Sequence, residues 1–290
     1  MKPIVLEVRN LKTYFHTPRG VVKAVDDVSF DLMQGERFGL VGESGSGKTT
    51  VALSLLRMIK APGQIEGGQL LLDGQDILKL SDEEMRRIRL AGISLVTQGA
   101  MNALNPVIRV REQLIDGIKD HDGNLSREAM EARVQELLSG VDLIPQVADM
   151  YAHQLSGGMK QRVCIAIGIC MRPKVIIADE PTSALDVVVQ RRVMETLRRA
   201  QEEVGAAVIL VGHDMGLMAQ FVDRMAVMYA GRIIEKGPTN KIFSDPKHSY
   251  TKLLLESTPS VVGDKKKLNA LDGEPPSLMG EMKGCSFSPR

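Results

Sequence analysis

The sequence predicts an α/β fold, with a mostly parallel sheet, an N-terminal antiparallel β subdomain and an inserted all-helical subdomain within its 290 residues. Three observations carry this. Ile4, Leu6 and Val8 alternate, as do Val28, Phe30 and Leu32, the period of half-buried antiparallel strands. Through the centre, short β-branched apolar runs alternate with helical patterns, as right-handed βα units require. From Gly99 to about Gln154 no strand signal interrupts. There Met130, Val134, Leu137, Leu138 and Val141 recur at i, i+4, i+7, i+8 and i+11, the stripe of an amphipathic helix.

In chain order, Val21–Val25 is β-branched between turn signals and joins the N-terminal strands. Asn10–Phe15 follows the first strand and carries the aromatic pair Tyr14 and Phe15 in a chain with only 3% aromatics. Arg37–Val41 is a short apolar run that reads as a buried strand, and the run from Thr49 to Met58 has helical spacing. Gly67-Gly68 and Asp73-Gly74 bracket Gln69–Leu72, a hairpin-like edge strand. Ser81-Asp82-Glu83-Glu84 is a capping box opening a short charged helix to about Arg89. Ile93–Val96 reads as a buried strand and Val110–Ile118 as a helix. Leu155–Arg162 opens an apolar helix to about Met171, followed by the strand Val175–Ala178 and a helix over Val187–Glu203. Ala207–Val211 is a strand, Met225–Tyr229 and Arg232–Glu235 a hairpin, and His248–Glu256 a short helix. From Ser257 onward the chain is rich in Pro, Gly and Lys and reads as an extension with weak order of its own.

Composition excludes several classes. A formal net charge of +1 carries no electrostatic footprint for nucleic acid or an anionic membrane. No apolar run approaches the roughly 20 residues needed to span a bilayer, and Glu7 comes too early for a signal peptide. Three cysteines without C-x-x-C spacing make no disulfide framework, and Cys164 and Cys170 read as small core hydrophobes. The expectation is a cytosolic protein.

The chemistry is concentrated in Gly42-Glu43-Ser44-Gly45-Ser46-Gly47-Lys48-Thr49-Thr50, which matches G-x-x-x-x-G-K-[ST] between a strand and a helix. Such a match arises by chance in about 1% of chains this long at average residue frequencies. Glycines let backbone N–H groups approach phosphate oxygens at the positive end of a helix dipole. Lys48 would reach the β- and γ-phosphates of a nucleotide, and Thr49 would hold Mg²⁺. Asp179-Glu180 ends an apolar strand, where Asp179 can hold Mg²⁺ and Glu180 can orient or deprotonate an attacking water. Gln98 and His213 also end strands, the side of a parallel sheet where ligands bind. Gln98 could ligate Mg²⁺ or contact the water, and His213 could hydrogen-bond a γ-phosphate. Ser156-Gly157-Gly158 is a second glycine-rich helix start, suited to a γ-phosphate approached from another subunit.

With these motifs in place, residues 4 to 256 resemble the ATP-binding subunit of an ABC transporter. Gly42–Thr50 matches Walker A, Val175–Glu180 Walker B, Gln98 the Q-loop, Leu155–Met159 the signature, Ser183-Ala184-Leu185-Asp186 the D-loop and His213 the switch histidine. The resemblance makes Phe15 the adenine-stacking candidate, with Tyr14 second. The signature ends in Met159 where most members have Gln. Asn102–Pro106, His248–Thr251 and the tail Gly273–Pro276 with Gly284–Arg290 resemble the oligopeptide/dipeptide/nickel importer group. In that group further cysteines hold an iron–sulfur cluster; one would be expected here only if the tail continued beyond Cys285.

The resemblance implies a P-loop NTPase core over residues 1–98 and 165–247, a helical signature subdomain over 99–164, and a C-terminal extension over 248–290. It implies an ATPase with Mg²⁺, peripheral on the cytoplasmic face of the membrane, docked on a separate integral membrane permease. A second ATPase subunit, a paralogue in head-to-tail arrangement, would complete each ATP site, and an external solute-binding protein would act indirectly. Nucleic acid is not expected as a partner. The alternatives are a soluble ABC ATPase of DNA repair or translation, and a nucleotide-binding regulator that never hydrolyses. The first lacks its usual coiled-coil insertion or second cassette here, and Glu180 with His213 weighs against the second.

Overall fold

The computed structural model describes residues 2–97, 99, 103–121, 125–257, 273–280 and 284–290, so the sequence-predicted Gln98 and Asn102 lie outside the described residues. The chain divides into two compact units, one of Ile4–Leu32, Glu36–Lys79 and Leu210–Arg290, the other of Met1–Pro3, Met33–Gly35 and Leu80–Ile209.

The first unit holds an antiparallel sheet in the order β2-β1-β4-β5, from β1 (Ile4–Thr17), β2 (Gly20–Met33), β4 (Gly63–Leu72) and β5 (Gln75–Asp76). Asn10–Phe15 does not follow the first strand but continues it, past a left-handed Asn10 and a register shift between Arg9 and Lys12. Val21–Val25 and Val28–Leu32 are likewise one strand. The local break in alternation is a bulge within a long ribbon, which leaves the hydrogen-bond ladder intact on either side. The stretch around Gln69–Leu72 is not at the edge: β4 pairs with β1 from Leu72↔Leu6 to Gly63↔Phe15, and β5 takes the edge.

In the same unit, β3 (Arg37–Val41) is buried at four of five positions and pairs in parallel with β9 (Arg224–Tyr229). β9 turns at Ala230-Gly231 into the antiparallel β10 (Arg232–Pro238), the hairpin that the sequence predicted. α1 (Lys48–Leu55) follows β3 and buries Val51, Ala52 and Leu55. After β10 come α8 (Thr239–Ser244), which the sequence reading missed, and α9 (Ser249–Glu256). α8 has six residues, too few to display a helical period. The described tail is held by its neighbours: Lys23 N–H donates to Leu278 O at 3.0 Å, and Phe287 is buried. Its order is borrowed from packing, which local composition cannot report.

The second unit contains β6 (Ile93–Val96), which pairs in parallel with β7 (Val175–Asp179), register Ile93↔Val175 to Val96↔Ala178. β7 is buried at all five positions, the signature of a strand covered on both faces. α2 (Asp82–Ile88) starts at Ser81 with the predicted capping box: Glu84 N–H donates to Ser81 Oγ and Ser81 N–H to Glu84 Oε2. Between β6 and β7 the described residues contain helices and no strand: α3 (Val110–Lys119), α4 (Arg127–Gly140) and α5 (Gly157–Ile169), with two short 3₁₀ turns. Met130, Val134, Leu137, Leu138 and Val141 are all buried, as their spacing requires. α6 (Val187–Val204) packs against α5. A Cβ on Gly158 would stand 2.6 Å from Val189 Cγ1, so only glycine permits that approach. β8 (Ala207–Gly212) and α7 (Met215–Phe221) carry the chain back to β9.

Candidate functional site

The loop after β3 is built from what its neighbours exclude. Gly42 has φ +153°, and a Cβ there would lie 2.2 Å from Met228 O. Gly47 has φ +103°, and its Cβ would lie 2.2 Å from Ala24 O. Both positions combine a backbone shape that L-residues avoid with a wall of backbone, so glycine is obligatory. Gly231 N–H donates to Ser46 O at 3.0 Å and Ser46 N–H to Glu43 O at 3.2 Å, which closes the loop against the β9–β10 turn. Ser44 and Gly45 are exposed at the tip and Thr49 is exposed on the first helical turn, with Thr50 half-buried behind it.

Gly47 is the N-cap of α1 and provides no side-chain cap, and the first turn has no acidic residue. The N-terminal amides and the dipole are therefore available to an anion. Lys48 is 6% exposed; its ammonium donates to Gly42 O and Glu43 O at 2.8 Å each, with Ser46 Oγ at 3.4 Å. Buried cations need such partners, and a phosphate is the stronger acceptor for which two carbonyls can be exchanged.

Glu43 is fixed from outside the loop. Its N–H donates to the Tyr250 hydroxyl at 3.0 Å, and its carboxylate accepts a fork from Arg290 at 2.7 and 3.2 Å. The hydrogen bond to Glu43 raises the Arg290 guanidinium's pKa, and burial pushes the Tyr250 phenol up. Sequence reasoning missed both residues. They stand 207 and 247 positions from Glu43, and no local pattern reports a pairing at that range.

Phe15 is half-buried at the end of β1, its ring packed where a Cβ on Gly63 would meet Cε1 at 2.6 Å. The Tyr14 hydroxyl is tied to Asp26 at 2.6 Å. His213 is exposed directly after β8, and Asp214 behind it caps α7 by accepting from Leu217 N–H at 3.0 Å.

In the other unit, Asp179 is buried as the last residue of β7 and Glu180 follows at φ +45°. A left-handed non-glycine residue costs about 1–3 kcal/mol, so the packing around it holds Glu180 in a disfavoured shape. The hydroxyl of Thr49 and the carboxylate of Asp179 are hard oxygen donors, the chemistry a divalent cation such as Mg²⁺ selects. Ser156 is the N-cap of α5, and its Oγ accepts from Met159 N–H at 3.3 Å, leaving Gly157 and Gly158 as the opening residues of the helix. The residue after Gly158 contributes its backbone to this cap, so methionine serves there as well as glutamine. Asp186 caps α6 by accepting from Val188 and Val189 N–H at 3.1 and 3.0 Å.

Burial raises the Cys164 thiol to about 12 and the Cys170 thiol to about 11, as core hydrophobes would show. Cys285 is exposed, with its Sγ 3.6 Å from His248 Nε2. Among the described residues no three His, Cys, Asp or Glu side chains gather as metal ligands, and an iron–sulfur cluster needs about four. This donor set does not fit one.

Comparison with known proteins bears on the same residues. A family described as ABC transporter matches residues 25–183, and one described as oligopeptide/dipeptide transporter, C-terminal region, matches residues 234–290. The oligopeptide transport ATP-binding protein OppD of Haemophilus influenzae is 41% identical, over 100% of this chain and 90% of its own. The dipeptide transport ATP-binding protein DppD of Bacillus subtilis is 42% identical, over 99% of this chain and 86% of its own. A solved dimeric ATP-binding cassette in a post-hydrolysis state, bound to ADP and Pi, superposes with a TM-score of 0.71 at 28% identity, covering 81% of this chain and 98% of that one.

Proposed function

The chain belongs to the ABC transporter family of ATP-binding proteins, and from that premise we propose that it is the ATP-hydrolysing subunit of an importer for peptides or related solutes. The observation that carries the reading is the loop Gly42–Thr49, where Gly42 and Gly47 admit no Cβ and the uncapped helix start lies beside a buried lysine. Lys48 would exchange its two carbonyl partners for the β- and γ-phosphates, and the loop amides of Ser44 to Thr49 would cradle the chain of phosphates. Thr49, Asp179 and Gln98 would hold Mg²⁺, which neutralises charge on the phosphate oxygens. Glu180 would orient or deprotonate the attacking water, His213 would hydrogen-bond the γ-phosphate, and Phe15 would stack on the adenine.

Ser156, Gly157 and Gly158 would serve a second subunit's nucleotide, so that two cassettes closed head-to-tail sandwich two ATP molecules. Closure drives a separate permease and hydrolysis resets it, because ATP binds the closed pair better than the open one. No helix among the described residues is long and apolar enough to cross a membrane, so the membrane passage would belong to that permease. Placement on the cytoplasmic face, a paralogous second cassette and an external solute-binding protein complete the proposal. The test is purification of a tagged chain from its native membrane. Polytopic subunits should co-purify, with Mg²⁺-dependent ATPase activity that Lys48→Ala abolishes. A chain that hydrolyses ATP but brings down no membrane subunit would instead favour a soluble ATPase.

A further inference from the structure

Glu43 is the second residue of the phosphate loop, yet two groups from the far end of the chain hold it. Tyr250, fully buried on α9, packs its ring 4.5 Å from Tyr229 and 5.5 Å from Phe287, and its hydroxyl accepts from Glu43 N–H. This fixes the peptide between Gly42 and Glu43 with its N–H turned to Tyr250. The carbonyl of that same peptide group, Gly42 O, and the next carbonyl along the chain, Glu43 O, are the ones that receive the Lys48 ammonium. Arg290 then clamps the Glu43 carboxylate from the tail; its side chain is 7% exposed and the carboxylate's 23%. A two-toothed, charge-assisted contact fixes orientation as well as distance. Phe287, wedged between Tyr229 and Tyr250, already anchors this segment, so the fork is not needed merely to attach the tail.

We propose that Arg290 and Tyr250 are positioning residues for nucleotide binding, acting through Glu43 to hold the Gly42–Glu43 carbonyls and, with them, Lys48. The C-terminal segment is on this view a working part of the ATP site. The proposal rests on the assignment of Gly42–Thr49 as that site, and the test separates the two.

The full chain is titrated with a fluorescent methylanthraniloyl-ATP and Mg²⁺ as wild type, Lys48→Ala, Glu43→Gln, Arg290→Met, Arg290→Lys, Tyr250→Phe and the double variant Glu43→Gln/Arg290→Met. Arg290→Met should weaken binding by about 3- to 10-fold, less than the full worth of a charge-assisted contact because the effect reaches the nucleotide only through Glu43 and Lys48. Arg290→Lys should recover part of that loss, since it keeps the charge but not the fork. In the Glu43→Gln background, Arg290→Met should cost little more, because the effect travels through Glu43. Tyr250→Phe keeps the ring and removes one oxygen, and should weaken binding severalfold. Equal losses from Arg290→Met with and without Glu43→Gln would overturn the proposal, since a general role in folding is additive. So would wild-type affinity in both Arg290→Met and Tyr250→Phe. Should Arg290→Met lose its melting transition, Arg290→Lys and Tyr250→Phe decide in the same way. If wild type itself does not bind, or Lys48→Ala binds as well, the ATP-site assignment fails instead.

Discussion

The Tyr14 hydroxyl donates to the Asp26 carboxylate at 2.6 Å, and this distinguishes two adjacent rings that only the family resemblance ranks, Phe15 ahead of Tyr14. Tyr14 is held by its polar end in the antiparallel sheet, with the Lys23 ammonium 5.8 Å from its ring, while Phe15 has no such tether. A ring tied to a carboxylate cannot also swing onto a base without breaking that bond. Phe15→Ala is therefore expected to weaken ATP binding by about 10-fold or more, since base–aromatic stacking is worth roughly 1–3 kcal/mol. Tyr14→Phe should leave affinity within about twofold and lower the melting temperature. A titration giving the reverse order would transfer the stacking role to Tyr14.

The same bond sets a pH response. Burial works against the charge on Asp26, but hydrogen bonds from Tyr14 and Arg232 outweigh it and hold the carboxyl below its ordinary range. A depressed carboxyl contributes stability that is present above its unfolded value, about 4, and is lost as pH falls through the folded one. Tyr14 goes the other way: burial and the hydrogen bond to Asp26 push its phenol up to about 12. Its contribution is intact below about 10 and is lost as pH climbs toward 12. The melting-temperature gap between wild type and Asp26→Asn should thus shrink below about pH 4. A gap unchanged down to pH 2 would remove Asp26 from this account.

How much of this was legible beforehand depends on range. The capping box at Ser81, the helix stripe from Met130 to Val141 and the strand–loop–helix at Gly42–Thr50 are local patterns, and each appears where its spacing put it. Register was not legible: the bulge at Arg9–Lys12 interrupts alternation without ending β1, so one strand read as a strand and a separate segment. Neither were Tyr250 and Arg290, because a side chain that reaches a loop from more than 200 residues away leaves no trace in local periodicity. Their signals were the group-specific stretches His248–Thr251 and Gly284–Arg290, which the sequence marks as distinctive without saying what they touch.

Glu180 carries the hydrolysis prediction. The residue sits at φ +45°, just past a fully buried strand. Backbone cost at a strand end is the kind of strain that an oriented catalytic group tolerates. Glu180→Gln removes the proposed base and keeps the shape, so ATP affinity should stay near wild type while turnover falls by about 10²-fold or more. Bound ATP would then persist and hold two cassettes together, visible as a dimer in size-exclusion chromatography with ATP. Near-normal hydrolysis by this variant, with the partner site inactivated, would take Glu180 out of the role.

The last prediction concerns which chain serves which site. Lys48 opens α1 in one compact unit and Ser156 caps α5 in the other, and each begins a helix with a glycine-rich approach suited to an anion. The phosphate loop would surround a triphosphate from one side only, and the sequence holds a single signature. On the proposed head-to-tail pairing each would have a use, with Ser156 completing the site built on the partner's phosphate loop. Lys48→Ala should then abolish tight ATP binding by this chain, because it removes the main charge facing the β- and γ-phosphates. Ser156→Arg replaces the helix cap with a long cation. It should leave this chain's own nucleotide binding intact while disabling hydrolysis at the partner's site. Azido-ATP crosslinking of each separated subunit reads the binding half, and ATPase assays of mixed mutant pairs read the other. If Ser156→Arg stripped nucleotide from its own chain and spared the partner, the shared site would have to be abandoned in favour of one closed within a single chain.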